Sequence, residues 1–147
     1  MAALGAFPPA HQAASLQDLH ERGDKRWSIV AANIRPDPLD PGPAMRAQGC
    51  AYTLETVTPE GMRAYRRIRA ISAVLDWEPE QAAVVAAGAD PAPRIVSSTV
   101  TEAGYFLGAD GRLDLDAREL LDSLAASRCG RAGATIYSVL RRILRAA

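Results

Sequence analysis

Apolar residues recur every three or four positions in several stretches of the chain, and this spacing predicts helices. The predicted helices cover residues 9–21, 82–87, 116–126 and 134–147. Short apolar runs at residues 27–34 and 94–101 predict strands that are covered on both faces. Residues 51–58 and 63–71 predict a hairpin, because two strand-like runs flank the turn Thr58-Pro59-Glu60-Gly61. The prolines between residues 36 and 43 predict a loop without regular structure.

Strands that alternate with helices predict the α/β fold class, with a mostly parallel sheet and flanking helices. The hairpin is expected to make that sheet partly mixed. No strand is apparent before Gly5, and none follows the last helix. We therefore expect an incomplete sheet whose first strand and later strands are missing, and a single partial domain over residues 1–147.

Charge, cysteine content and the N-terminal residues indicate which partners and which cellular compartment to expect. Lysine plus arginine and aspartate plus glutamate both number 17, so net charge gives no reason to expect nucleic acid or an anionic membrane. Cys50 and Cys129 are far apart and have no close histidine, which indicates neither a disulfide scaffold nor a zinc site. Phe7-Pro8-Pro9 interrupts the apolar start of the chain, as a signal peptide would not. These features predict a cytoplasmic protein with no membrane segment.

Candidate binding residues lie at two predicted element ends. Gly5 precedes a helix, and a diphosphate can approach backbone where no Cβ blocks it and where a helix offers free N–H groups. After the strand at residues 27–34, an acid would hold a ribose 2′-hydroxyl and an arginine would favour a 2′-phosphate. Both types occur there, at Arg35 and Asp37, with Asn33 and Asp40 beside them. The choice between the two dinucleotides stays open.

No metal site and no hydrolase triad is expected from the remaining polar residues. His11 and His20 are nine positions apart, which is not the spacing that points two ligands at one ion.

Five segments in order resemble the long-chain mannitol dehydrogenase family, which includes polyol dehydrogenases and the fructuronate and tagaturonate reductases of carbohydrate metabolism. ALGAFPPAHQ at residues 3–12 resembles the opening G-x-G-x-F-H-R-A-H-Q of that family. Residues 16–27, with Leu16, Leu19, Gly23 and Trp27, then resemble the family segment that has leucines, a glycine and a tryptophan in this order. AYTL at residues 51–54, IVSSTVTEAGY at 95–105 and GRLDLD at 111–116 then resemble the segments L-Y-T-L, I-V-S-L-T-V-T-E-x-G-Y and G-x-L-D-L-D.

This resemblance implies a Rossmann-like N-terminal domain that binds NAD, with NADP not excluded. In the family such a domain serves hydride transfer between a secondary alcohol of a polyol or sugar acid and the ketone. By position, Gly5, Ala6 and Phe7 would lie at the pyrophosphate turn. Val100, Thr101 and Glu102 would lie at a strand end facing the nicotinamide. Glu102 has a competing structural interpretation, in which its carboxylate accepts hydrogen bonds from a nearby loop or helix N-terminus.

Two departures from the family pattern affect the expected activity. Pro8 and Pro9 replace a histidine and an arginine, which removes a side-chain donor, a cation and a backbone N–H near the phosphates. The catalytic lysine motif K-x-x-x-x-N-x-x-H has no counterpart, since Lys25 is the only lysine. We therefore name no catalytic residue and expect the chain alone to be inactive. The alternatives are a non-catalytic interaction module that uses an exposed apolar last helix, with self-association through that helix, or a decayed reading frame.

Overall fold

The computed structural model describes residues 2–3 and 8–147. Its strands are β1 (Ala2–Ala3), β2 (Ile29–Ala32), β3 (Tyr52–Val57), β4 (Arg63–Ile68) and β5 (Ile71–Leu75). Its α-helices are α1 (Ala13–Glu21), α2 (Gly42–Ala47), α3 (Ala82–Ala89), α4 (Arg118–Arg128) and α5 (Ile136–Ala146). A π-helical turn, Pro8–Gln12, leads into α1, and a 3₁₀ turn, Glu102–Tyr105, precedes α4.

A three-stranded parallel sheet in the order β1-β2-β5 forms the centre of the fold. Ala2 and Ala3 pair with Ala31 and Ala32, and on the other side of β2 the register ends with Ala32 opposite Leu75. Parallel strands joined by crossover connections are buried by the helices that connect them. Ala31 and Ala32 are accordingly buried. The predicted α/β class with a parallel sheet and flanking helices is confirmed.

The hairpin β3–β4 forms a sheet of its own, so the expected mixed sheet is wrong. After β4 the chain turns at residues 69–70 and continues as β5, which pairs with β2 instead. The hairpin is fastened to α1 by Arg66, whose guanidinium lies 2.6 Å from Asp18 and 2.9 Å from Glu21. The backbone N–H of Arg69 also donates to Gln17 over 2.9 Å. These contacts hold the hairpin beside the helix.

Three further elements, β1, α2 and β5, differ from the sequence-based expectations. A strand does precede Gly5, because Ala2–Ala3 pairs with β2. The proline-rich stretch predicted as a loop contains the start of α2, with Pro43 in its first turn, where the missing N–H of proline leaves no hydrogen bond unmade. β5 was not predicted at all, since residues 63–71 read as one uninterrupted strand.

The segment 94–101 is described as extended chain outside any strand, so the strand predicted there is wrong. Its apolar residues are not covered on both faces: Ile95 is 71% exposed and Val96 is 39% exposed. An apolar run favours a strand only where neighbouring elements bury it, and here one side alone faces the helices.

The buried residues fall into two clusters on the two sides of the sheet. The first joins α1, α2, the hairpin and the sheet around Ala13, Ile68 and Ile71. The second joins Ala32 of β2 to Val84 of α3 and to Val139 and Ile143 of α5. The second cluster covers the end of β2 where candidate binding residues were predicted.

The apolar face of helix α5, formed by Ile136, Val139, Leu140, Ile143 and Leu144, packs in part against the rest of the fold. Thr135 caps it, accepting a hydrogen bond from the Ser138 N–H over 3.3 Å. Val139 and Ile143 of this face are buried, whereas Leu144 is 78% exposed. Val139 and Ile143 thus belong to the core, and Ile136 and Leu140 are half-buried. Both cysteines are free thiols; Cys50 is buried and Cys129 is exposed.

Candidate functional site

The carboxyl ends of β1, β2 and β5 lie at one edge of the sheet, because the three strands are parallel. In open parallel sheets this edge is where ligands bind. Gly5, Ala6 and Phe7, predicted to form the pyrophosphate turn, lie outside the described residues. The described part of the edge consists of the segment after β2, the segment after β5 and the neighbouring helix starts.

Asn33 and Asp40 close the loop that follows β2. The side-chain amide of Asn33 donates to Asp40 Oδ1 over 3.0 Å, and the Gly42 N–H donates to the same oxygen over 2.9 Å. A Cβ on Gly42 would lie 3.0 Å from the other Asp40 oxygen, so glycine allows this close approach. The carboxylate of Asp40 therefore has a structural role at the start of α2.

Arg35 and Asp37 sit in the same loop but have different surroundings. Arg35 Nε donates to the carbonyl oxygen of Ala134 over 2.9 Å, and its Nη2 lies 3.6 Å from Glu119. Asp37 is exposed, and one of its oxygens accepts a hydrogen bond from the Leu39 N–H over 2.9 Å. The arginine is thus drawn towards α4 and α5, while the aspartate faces solvent.

A charged pair at the end of β5 was not predicted. Asp76 directly follows the strand and lies 2.6 Å from Arg46 Nη2 of α2. The other terminal nitrogen, Arg46 Nη1, is buried and has no hydrogen-bond partner among the described residues. This pair joins α2 to the sheet edge. Sequence gave no signal for it, because Asp76 and Arg46 are thirty positions apart and follow no motif.

Val100, Thr101 and Glu102 do not end a strand. Val100 lines a cavity of about 60 Å³ together with Ile34 and Leu140. Thr101 accepts a hydrogen bond from the Gly104 N–H over 2.8 Å, and Glu102 begins the 3₁₀ turn with an exposed side chain. Val100 therefore lies near the end of β2, since it lines the same cavity as Ile34. A role of Glu102 at the nicotinamide and a structural role of its carboxylate both stay predictions.

Gln81 is a further residue that the sequence analysis did not identify. It is 3% exposed, precedes α3, and its side-chain Nε2 donates to Ile34 O over 3.0 Å and to Gly133 O over 3.4 Å. A lone glutamine after Glu78-Pro79-Glu80 carries no sequence signal of burial.

In the described ranges, 2–3 and 8–147, His, Cys, Asp and Glu side chains form no cluster of three or more able to hold a metal ion. Within the same ranges, no helix combines the length and apolar character needed to span a bilayer.

The parallel order β1-β2-β5, with helices on both sides and polar loops at the carboxyl edge, defines an α/β fold of the Rossmann type. Two solved structures share it. A mannitol 2-dehydrogenase of Pseudomonas fluorescens, in a ternary complex with NAD and D-mannitol, has a TM-score of 0.84 and 26% identity. A D-sorbitol dehydrogenase has a TM-score of 0.82 and 27% identity. The two alignments cover 99% and 98% of this chain, and 30% of each solved chain.

Curated proteins agree with the structural likeness, although no family model matches the chain. It is 44% identical over 142 residues to a D-arabinitol 4-dehydrogenase of Ralstonia nicotianae, an alignment that covers 95% of this chain and 30% of that protein. It is 36% identical over 140 residues to a mannitol 2-dehydrogenase of Cereibacter sphaeroides, covering 94% and 29%. The chain is homologous to the N-terminal region of the mannitol dehydrogenase family. It spans about 30% of the length of these relatives.

Proposed function

We propose that the chain is the NAD-binding portion of a polyol dehydrogenase. The main support for this proposal is the carboxyl edge of the parallel sheet. There the exposed Asp37 lies in the loop that follows β2, the central strand of a Rossmann-type sheet. A carboxylate at that position suits a ribose hydroxyl, which donates the hydrogen bond. The likeness to a mannitol 2-dehydrogenase in complex with NAD supports the same cofactor.

The surroundings of Arg35 favour NAD over NADP. An arginine that recognises a 2′-phosphate must turn its guanidinium towards the ribose. Arg35 instead uses Nε on the Ala134 carbonyl and holds Nη2 near Glu119. Asp37, two residues further on, would repel a 2′-phosphate by like charge. We therefore propose Asp37 as the ribose ligand, with Arg35 a neighbour that shapes the loop.

The other proposed contacts follow the family pattern. Gly5, Ala6 and Phe7 would hold the pyrophosphate with backbone groups, and Val100, Thr101 and Glu102 would line the nicotinamide side. When bound, the nicotinamide would accept or return a hydride between a polyol secondary alcohol and its ketone. The chain's own residues would bind and orient it. Because the 147 residues contain one lysine, Lys25, outside the family's catalytic motif, we propose no polyol oxidation by this chain alone.

The substrate class proposed for the complete reaction is a linear polyol or a sugar acid, by homology with the D-arabinitol and mannitol dehydrogenases. We place the protein in the cytoplasm, where Cys50 and Cys129 would stay reduced as the free thiols seen here. Docking onto a partner through α5 is less well supported, since Val139 and Ile143 already pack against α3. A monomer by light scattering at high concentration would count against self-association.

Saturable binding of NADH to the 147-residue chain, measured by ligand-observed NMR at millimolar cofactor, tests the proposal. Asp37→Asn is expected to weaken binding about tenfold to a hundredfold, since a hydrogen bond to a charged group contributes about 1.5 to 3 kcal/mol. Asp110→Asn is a matched control, because Asp110 is also exposed and likewise accepts from the N–H two residues on, over 3.0 Å. Absence of saturable NADH binding by the unmodified chain would refute the proposal. Equal weakening by both variants would refute the role of Asp37.

A further inference from the structure

Gln81 joins three elements at the carboxyl edge of the sheet. Its Nε2 donates to the carbonyl oxygen of Ile34, at the end of β2, over 3.0 Å, and to that of Gly133, between α4 and α5, over 3.4 Å. Its backbone carbonyl accepts from the Val85 N–H over 2.9 Å, in the first turn of α3. Through its side chain and its backbone, this one residue therefore ties Ile34, just after β2, to α3 and to the turn before α5.

Gln81 occupies this position at an energetic cost. Its backbone is left-handed, with φ of 52° and ψ of 27°, a conformation that is unfavourable for a residue with a Cβ. Its Oε1 is buried and accepts no hydrogen bond from the described residues, and a buried acceptor without a donor is also unfavourable. An apolar side chain would avoid the second cost. What the glutamine alone provides is the pair of donated hydrogen bonds.

Gly133, the hydrogen-bond partner of Gln81 between α4 and α5, is itself fixed by its neighbours. The Gly133 N–H donates to Ser138 Oγ over 2.9 Å, and a Cβ on Gly133 would lie 2.9 Å from the Cα of Ser123. The next residue, Ala134, accepts from Arg35 over 2.9 Å. The turn at residues 133–135 therefore contacts both Gln81 and the loop after β2.

These contacts surround the loop that carries Asp37. Gln81 bonds to Ile34 and the turn at residues 133–135 bonds to Arg35, so two consecutive residues at the start of the loop are anchored. We infer that Gln81 is a positioning residue that sets the place of Asp37 in the NAD site. The inference rests on the proposed function and adds to it a residue that would not itself touch the cofactor.

Gln81→Met is the informative variant, since methionine keeps the length of the side chain and donates nothing. Gln48→Met is the matched control, because Gln48 is exposed just after α2 and its side-chain amide donates to Met45 Sδ over 3.6 Å. Gln81→Gly is the second variant. It also removes the donor, but glycine accepts a left-handed backbone, so the fold is retained if strain is the obstacle.

Each variant is combined with Asp37→Asn, and NADH and NADPH affinities are measured by calorimetry. We expect Gln81→Met and Gln81→Gly to weaken NADH binding about threefold to tenfold, the effect of one or two neutral hydrogen bonds. We expect a much smaller effect on NADPH, and almost none on NADH in the Asp37→Asn background, because the residue acts through Asp37. Amide exchange of Arg35, Asp37 and Leu39 should quicken in both variants while that of the hairpin stays unchanged.

The outcomes separate the two claims. If the unmodified chain does not bind NADH, the proposed function fails and this inference fails with it. If Asp37→Asn weakens binding but the Gln81 variants behave like Gln48→Met, only the inference is overturned. An equal loss of NADH affinity with and without Asp37 also overturns it, since a purely structural role would produce that additivity.

Discussion

Arg35 Nε donates to the carbonyl oxygen of Ala134 over 2.9 Å, and these two residues are 99 positions apart in the chain. The bond closes the loop after β2 against the turn that begins α5. The nearby ion pair with Glu119 is longer, at 3.6 Å, and its side chains are 49% and 64% exposed. The hydrogen bond, rather than the ion pair, should therefore account for most of what Arg35 contributes.

Arg35→Met is expected to lower the free energy of unfolding by about 1 kcal/mol, the usual contribution of one hydrogen bond. Glu119→Gln, which removes only the exposed ion pair, should change it by less than about 0.5 kcal/mol. Urea unfolding followed by circular dichroism measures both. Equal losses in the two variants would contradict the assignment.

Asp40 and Asp37 should differ in what they do for stability. Asp40→Ala removes the acceptor of both Asn33 and the Gly42 N–H and should cost about 1 to 2 kcal/mol, like the loss of a helix cap. Asp37→Ala removes a single exposed bond to the Leu39 N–H and should cost less than about 0.5 kcal/mol. Thermal unfolding of the two variants makes the comparison, and a larger loss for Asp37 would be the contrary result.

Gly88 and Ile143 should be coupled in packing. A Cβ on Gly88 would lie 2.6 Å from Ile143 Cδ1 and 2.8 Å from its Cγ1. We expect Gly88→Ala to destabilise the chain by about 1 to 2 kcal/mol, although alanine favours a helix. Ile143→Ala alone should cost about 2 to 4 kcal/mol by leaving a cavity.

The double variant is the decisive measurement for this pair. Once Ile143 is shortened, the new methyl group has room, so the combined loss should be smaller than the sum by about 1 to 2 kcal/mol. Strict additivity of the two losses in urea unfolding would show that the helices α3 and α5 do not meet there.

Asp24 should stay ionised in acid. The Arg26 side chain donates to it, from Nε over 3.0 Å and from Nη2 over 2.8 Å, and the Arg26 backbone N–H donates over 3.1 Å. These bonds lower the pKa of Asp24 from 3.8 to about 2. Because the folded-state pKa lies below the unfolded value, the stabilising effect is fully present above about pH 4 and disappears as pH falls towards 2.

A carboxyl NMR titration of Arg26→Ala checks the cause of this shift. The pKa of Asp24 should rise in the variant but stay below 3.8, because the backbone N–H of residue 26 still donates. Arg22→Ala, a change in another arginine of the same region, should leave it unchanged. A pKa that does not move in Arg26→Ala would contradict the side-chain hydrogen bond as its main cause.

The elements that sequence predicted well are those with strong local signals. The helix after Pro8, the hairpin around Gly61 and the capped helix α5 each have a turn residue or a clear period within a few positions. β5 was missed because residues 69 and 70, Arg and Ala, include no turn-forming residue to separate it from β4. α2 was missed because the prolines were taken to exclude a helix, whereas Pro43 lies in its first turn.

The residues of the candidate site also differ in whether a local sequence signal points to them. Arg35 and Asp37 could be named as candidates because they follow a strand that the sequence predicts, and their role in binding stays a prediction. Arg46 with Asp76, and Gln81 with Ile34, were not found because each pair joins residues far apart in the chain. Val100 was expected at a strand end and lies in extended chain, because its segment is covered on one side only.

Sequence by itself determined the α/β class, most element positions and the family, since hydrophobic periods and ordered motifs are local properties of the chain. Only the tertiary structure decided that β2 lies between β1 and β5, that the hairpin stands apart, and that Gln81 is buried against Ile34 and Gly133. Those features depend on contacts between distant segments, whose free energy is gained only when the chain has folded and water has been excluded from between them.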